Sequence, residues 1–436
     1  PSVPLQAAME WLEGRGVPGE QIIEQSLVHI PLYTFKYAYQ NSYAVGAFDL
    51  VSLDFLQAII DAAERCQAPV ILSLAESHFD YFDFELTMPA VEAAARRSTV
   101  PVAIHLDHGA SLESAQQGIR LGCNGIMVDN SLLPLEQNIE NTRAIVEMAH
   151  GCDIPVEGEL GYVAGVEGED AERHPGDIIY TSAEEAWHYV ESTGVDFLAV
   201  SIGTVHGRMK GEPDLDFERL AQINEALNLP LVIHGGTGLS PTQFQRLIAN
   251  GVAKINYYTA LADAAGEQIT ANLGRGARGY TQCVEDLQLA IRTEVERCIR
   301  LWGGSGRAAE LMQPCQPWEN VEHLIFYNLS CSEQEADTVI AEGKRVLATI
   351  PGVRQVFAGK ALDESGHYRY CWRVQFASTA VVDTYRDHPL HVNYANTYFR
   401  PNAGDRVTQD FAPARSLPQQ QGAAPSNDQQ IEHHAS

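Results

Sequence analysis

Between about Tyr43 and Thr259 the chain repeats one pattern: a short apolar, β-branched run, then a longer stretch with apolar residues at helical spacing. The runs are AVGAFDL (44–50), PVILSLAE (69–76), PVAIHLDH (101–108), GIMVDNS (125–131), PVEGELG (155–161), FLAVSIG (197–203), PLVIHGG (230–236) and KINYYT (254–259). Apolar runs without polar alternation are strands covered on both faces, and the helices between them supply the cover, so the pattern predicts a parallel sheet. Eight units fit a (β/α)8 barrel, with a doubly wound open sheet as the alternative. The run ends favour the barrel. Asp49, Glu76, Asp107, His108, Asp129, Glu159, His234 and Asn256 stand at or near C-terminal strand ends, and His206 follows the sixth run by three residues. A closed barrel gathers all of these on one rim, whereas an open sheet scatters several.

The flanking segments set the domain plan. Residues 1–42 read as a helical lead-in that covers the bottom of the barrel. A long helical stretch is expected from Leu261 to about Leu301, ending at GGSG, so the barrel occupies 1–312. QPCQPW (313–318) carries two prolines and opens a linker over 313–320. Residues 321–411 change to strand, helix, strand, strand, helix, strand, an α+β domain, and the polar Pro/Gln-rich tail 412–436 reads as disordered.

Charge then removes whole classes of function. The 436 residues hold 57 acidic side chains against 29 Lys+Arg, a net −28, which opposes binding to nucleic acid or an anionic membrane. No apolar run approaches the roughly 20 residues of a membrane span, and PSVPLQAAMEWLEGRG lacks the basic start and apolar core of a secretion signal. The eight cysteines form no CxxC pair. Scattered thiols of this kind fit a reducing compartment, and a cytoplasmic protein is expected. An anionic substrate must here be held by local dipoles or a metal.

Three histidines carry the chemistry: His108 in HLDHG, His206 in GTVHG and His234 in HGGTG, each beside a glycine. Three imidazoles on one rim suit a divalent metal and leave it the open position that catalysis needs. Asp107 precedes His108, so the two face opposite ways unless the backbone turns between them. Asp129 and Glu159 are candidates for the metal or its surroundings, while Glu157 reads as part of a polar layer. Glu167, in the Gly-rich acidic loop GYVAGVEGED (161–170), is placed to swing in as a base. HGGTG (234–238) before a helix offers backbone N–H groups for a phosphate, and NYYT (256–259) follows the eighth run.

YAVGAF, HLDHG, MVDNS, VEGELG, GTVHG, HGGTG and KIN–T, with the closing RLWGGSGRA (300–308), resemble the class II, metal-dependent ketose-bisphosphate aldolases over roughly residues 30–310. That family includes the fructose- and tagatose-1,6-bisphosphate aldolases. The resemblance implies a reversible cleavage of a phosphorylated ketose to dihydroxyacetone phosphate and an aldehyde, through a zinc-stabilised enediolate. It implies that His108, His206 and His234 hold Zn2+ or another divalent metal, with Asp129 and Glu159 at a second metal position. Asp107 matches the acid that moves the C4 hydroxyl proton, and Glu167 the acid that exchanges a proton on the dihydroxyacetone phosphate carbon. Gly207, Gly235, Gly236 and Thr237 match the site of that phosphate and of a monovalent cation (Na+ or K+). Asn256, Tyr257, Tyr258 and Thr259 match the remaining phosphate contacts.

No Schiff-base lysine is required, since Lys254 reads as opening its strand. The chain departs from the family at Asp49, where an asparagine is usual, and at Ala75, where a serine is usual. Asp49 remains a candidate substrate contact. Two alternatives stay open: an aldolase of a specialised pathway with a different aldehyde or donor, and a metal and sugar-phosphate binding protein without turnover.

EHLIFYNL, IPGV (350–353) and YRDHPLHVNY (385–394) resemble the stress-responsive dimeric α/β-barrel domains, ferredoxin-like folds that pair as dimers. That resemblance implies a homodimer or higher homo-oligomer. Some relatives are polyketide cyclases with a Tyr and a His at the positions of Tyr385 and His391.

Overall fold

The computed structural model describes residues 31–80, 83–165, 178–208, 213–312, 318–363 and 365–413. Eight parallel strands close on themselves in sequence order: β1 (Val45–Asp49), β2 (Val70–Ala75), β3 (Val102–Gly109), β4 (Gly125–Val128), β5 (Val156–Leu160), β6 (Phe197–Val200), β7 (Leu231–Ile233) and β8 (Val252–Tyr257). The β1–β8 pairing, Val45 opposite Lys254 and Phe48 opposite Tyr257, seals the ring. The barrel is therefore the correct choice over the open sheet.

Each strand is buried because a helix follows and covers it. The helices are α1 (Pro31–Gln40), α2 (Leu53–Cys66), α3 (Phe84–Arg97), α4 (Leu112–Leu121), α5 (Leu135–His150), α6 (Ala183–Thr193), α7 (Phe217–Leu227), α8 (Pro241–Ala249), α9 (Thr259–Gly274) and α10 (Leu287–Leu301). Their starts are written locally. Ser52, Asp83, Ser111, Ser182, Asp216 and Ser240 each accept a hydrogen bond from a backbone N–H two or three residues into the helix. The expected continuous helix from Leu261 to Leu301 is instead broken into α9, a single turn at Tyr280–Cys283 and α10, because Gly274 ends α9, Gly276 and Gly279 follow it, and glycine weakens a helix interior.

Inside the ring, strand alternation stacks two kinds of layer. Low in the barrel, Val45, Ala47, Ile71, Ala103, Phe197, Ala199, Val232 and Ala253 form an apolar plug. Helix α1 closes it from below, Phe35 meeting Phe197 edge-on at 4.5 Å between ring centroids. The lead-in therefore covers the barrel floor through Pro31–Gln40; residues 1–30 lie outside the described part. Above the plug the interior turns polar.

The second unit is a four-stranded antiparallel sheet in the order β10-β11-β9-β12, from β9 (Val321–Leu329), β10 (Val353–Lys360), β11 (Tyr370–Phe376) and β12 (Ala403–Phe411). Helices α11 (Glu333–Leu347), α12 (Ala380–Asp387) and α13 (Pro389–Tyr394) cover one face, over Tyr327, Trp372, Val374 and Phe376. Arg354 ties this unit to the barrel. It makes two hydrogen bonds to the Glu92 carboxylate, at 2.8 and 2.9 Å, and donates to the carbonyls of Arg120 and Leu121. Most of the expected linker, and the tail from 414, lie outside the described residues.

Candidate active site

The geometry begins with a single extra residue. In the β3–β4 pairing Leu106 stands opposite Ile126 but Gly109 opposite Val128, so β3 carries a bulge. His108 takes a positive φ of 48° there, a conformation uncommon outside glycine. Its displaced N–H donates to Met127 Sδ at 3.1 Å. The bulge resolves the opposition between Asp107 and His108, because both side chains now join the same interior network.

Three imidazoles meet above the polar layer. Ring centroids are 4.7 Å apart for His108–His234, 5.1 Å for His108–His206 and 5.8 Å for His206–His234. One nitrogen of each lies within 4.8 Å of the others. His108 Nδ1 is engaged by Asp129 Oδ2 at 3.0 Å and His234 Nε2 by Glu157 Oε1 at 3.1 Å, so the opposite nitrogens, Nε2 and Nδ1, turn toward each other at 3.0 Å. A carboxylate behind an imidazole orients it as a metal ligand. His206 Nε2 and Glu159 Oε2 are buried with no hydrogen-bond partner among the described residues. A cation between the rings satisfies the His206 nitrogen, and this donor set fits zinc.

A second group, His108, Asp129 and Glu159, also brings its ligand atoms within 4.8 Å. Asp129 is anchored by Ser131, whose N–H and hydroxyl donate to Oδ1 at 3.0 and 2.6 Å. Burial, with Asp129 beside it, pushes the Glu159 carboxyl well above its usual range. Burial, with His108 and His234 beside it, pushes the His206 imidazole down to about 3, leaving its lone pair available. Burial opposes charge on Asp107 too, yet His108, His234 and Lys254 hold it down to about 2.

Beneath the imidazoles runs a network that sequence reasoning missed. Glu157, read only as a polar layer, also meets Lys254 Nζ at 2.9 Å and His105 Nε2 at 3.4 Å through Oε2. Lys254 does not open β8, which starts at Val252; it lies within the strand, fully buried. It donates to Asn256 Oδ1 at 2.6 Å, and Asn256 Nδ2 donates to both Asp107 oxygens at 3.0 Å. The available signal was spacing, since residues 254 and 256 share a strand face.

The phosphate candidates divide. Gly235 has φ of 70°, and a Cβ there stands 2.2 Å from Val205 O, so only glycine lets these two loops pass. Gly236 packs against Ile255 and the Asn256 carbonyl. Thr237 Oγ1 accepts from Ala260 N at 3.3 Å, docking the loop after β7 onto the start of α9, which has no side-chain cap of its own. Gly207, with φ of 85°, precedes Arg208, whose Nε hydrogen-bonds Asp263 of α9 at 2.8 and 2.9 Å. Thr259 opens α9 and is buried. Asp49 is buried at the end of β1 in register with Ser73.

Two tyrosines are not brought to the histidines. Tyr257 faces outward, packs on Phe48 and Trp302, and donates to Glu294 at 2.9 Å. Tyr258 packs over His78 at 4.6 Å between centroids. Glu167 lies outside the described residues. In the second unit Tyr385 and His391 do meet, with ring centroids 4.4 Å apart.

Fold and site together are those of a β/α-barrel enzyme built around a cluster of metal-binding side chains. The chain belongs to the class II fructose-bisphosphate aldolase family, whose model matches residues 32–307, and is thus an aldolase, a carbon–carbon lyase. It is 39% identical to the fructose-bisphosphate aldolase of Staphylococcus epidermidis over 276 residues, 62% of this chain and 96% of that one. The crystal structure of the YdjI aldolase from Escherichia coli K12 matches with a TM-score of 0.59 at 33% identity, covering 65% of this chain and all of that one. Campylobacter jejuni fructose-bisphosphate aldolase, 18% identical with a TM-score of 0.53 over 62% of this chain and 93% of its own, shares the fold. Residues 321–413 match the stress responsive A/B barrel domain. No described helix is long and apolar enough to cross a membrane.

Proposed function

We propose that this aldolase cleaves a phosphorylated ketose to dihydroxyacetone phosphate and an aldehyde, with zinc held by His108, His206 and His234. The supporting observation is the approach of three imidazole nitrogens to within 4.8 Å beside a buried Asp107. A zinc ion in that position supplies a Lewis acid that stabilises negative charge developing on the substrate's carbonyl oxygen. The chain's own groups do the rest. Asp107, whose ionised form Lys254 favours, accepts the C4 hydroxyl proton as the carbon–carbon bond breaks and returns it in condensation. Glu167 exchanges the proton on the donor carbon. Gly207, Gly235, Gly236, Thr237 and Thr259 bind the donor phosphate with a monovalent cation, and Asp129 and Glu159 form a second metal position.

Lys254 is committed to Glu157 and Asn256, which supports a mechanism without a Schiff base. Asp49 supports a second reading, a ketose other than the bisphosphate, because a buried carboxylate stands where the family has a neutral amide. Metal-replete cleavage assays across ketose mono- and bisphosphates test both readings. Activity is expected to vanish with EDTA, return with Zn2+ and resist borohydride; activity after complete metal removal would falsify the zinc reading.

The second unit we read as the oligomerisation module of a cytoplasmic enzyme. On its uncovered sheet face Phe326, Phe357 and Val407 are 42, 48 and 47% exposed. The register places Phe326 opposite both Cys371 and Val407 on that face. Sedimentation equilibrium of wild type and Phe326→Lys tests it, with a loss of self-association expected.

A further inference from the structure

We infer that Lys254 is a positioning residue whose single ammonium orients both working arms of the site: the imidazole of His234 through Glu157, and the carboxylate of Asp107 through Asn256. This rests on the reading that His234 ligates zinc and Asp107 carries the proton.

The argument starts in the strand. Leu231 pairs with Val252 but Val232 with Lys254, so β8 bulges at Ala253. Below the bulge Ala253 belongs to the apolar plug; above it Lys254 and Asn256 face the polar interior. An ammonium buried in this way is costly to desolvate unless it is paired and hydrogen-bonded. Lys254 meets both halves of that condition, an ion pair with Glu157 Oε2 at 2.9 Å and a hydrogen bond to Asn256 Oδ1 at 2.6 Å.

Each contact dictates an orientation one residue further on. Because Asn256 Oδ1 faces a cation, its Nδ2 is the end left to face Asp107, where it donates to both carboxylate oxygens at 3.0 Å. An amide turned the other way sets oxygen against oxygen. On the other arm Oε2 of Glu157 is drawn to Lys254 and His105, which leaves Oε1 to receive the N–H of His234 Nε2 at 3.1 Å. That bond fixes the tautomer in which Nδ1, facing His108, keeps its lone pair. No other described lysine stands in this layer, and a neutral residue supplies neither attraction.

The test uses the full-length protein and three readouts: zinc affinity by chelator competition, the visible absorption bands of the cobalt-substituted enzyme, and kcat against KM. Glu157→Gln is expected to lower zinc affinity about 10–100-fold and to shift the cobalt bands through His234. Asn256→Ala is expected to lower kcat more than about tenfold with little change in KM, and to change zinc affinity and bands far less than Glu157→Gln does, its Nδ2 lying only at a long 3.4 Å from His234 Nδ1. Lys254→Met is expected to do both.

A residue that merely fills the barrel lowers thermal stability without moving the cobalt bands of the folded protein. If the buried Glu157 charge prevents Lys254→Met from folding, the Lys254→Met/Glu157→Gln double variant removes both charges and is expected to show the same zinc loss. Wild-type zinc affinity, bands and kcat in either lysine variant overturn the inference alone. A wild type that takes up no zinc overturns the metal reading and the inference with it.

Discussion

His108 Nε2 lies 3.0 Å from His234 Nδ1, although 126 residues separate them. Two nitrogens aimed at one another, with their ring partners already bonded to Asp129 and Glu157, leave a position that a cation fills better than a proton. His206→Ala and His234→Ala are therefore expected to lose bound metal, measured by elemental analysis after gel filtration. Asp107→Ala is expected to keep its zinc near wild-type stoichiometry while kcat falls by about 10²–10⁴. Zinc and turnover surviving in both kinds of variant defeat the assignment.

Zinc is expected to raise stability as well as activity, because it binds the folded site and not the unfolded chain. At a free concentration about 100 times its Kd the gain is about 2.7 kcal/mol. For a unit of this size that is a rise in Tm of roughly 5 °C. Calorimetry with and without zinc measures it, and His206→Ala is expected to show no rise.

Arg354 holds the two units together, with its side chain 8% exposed against a Glu92 side chain 20% exposed. Arg354→Met leaves Glu92 only the longer 3.6 Å pair with Arg96 and leaves the carbonyls of Arg120 and Leu121 without their Arg354 donor. The expected cost is about 2 kcal/mol or more. Guanidinium unfolding is expected to broaden toward two transitions, while a single unchanged transition refutes the anchor.

His150, at the end of α5, sits 2.9 Å from Asp196, and that hydrogen bond raises its pKa. A raised histidine pKa adds stability fully present below the unfolded value of about 6.5 and lost as pH climbs through the folded value. The side chain is 44% exposed, so the gain is a fraction of a kcal/mol. NMR titration is expected to place the His150 midpoint above about 6.5, and Asp196→Asn to lower it.

Gly235→Ala places a methyl group 2.2 Å from the Val205 carbonyl oxygen at a positive φ. Because that contact is backbone, the loop carrying His206 must move. A loss of about 2 kcal/mol and weaker donor binding are expected, seen in urea unfolding and in KM.

Much of this site is legible before folding. The eight runs, their order and the three glycine-flanked histidines follow from local periodicity, and the motifs around them carry the family resemblance. Tyr257, expected among the phosphate contacts, turns away to Glu294, because strand alternation sets it opposite Asn256. The break between α9 and α10 was not expected, although three glycines mark it in the sequence.

What the sequence alone determined is the succession of strands and helices and the chemical type of residue at each strand end, because those depend on neighbours a few positions apart. Tertiary structure alone decided the two bulges, at His108 and Ala253, and hence that Asp107 faces inward with His108 and that Lys254 stands beneath both arms of the site. A bulge is a mismatch between paired strands, and a buried ion pair is a meeting across the closed ring. Neither exists until separate strands, and the two sides of the ring, are brought into register.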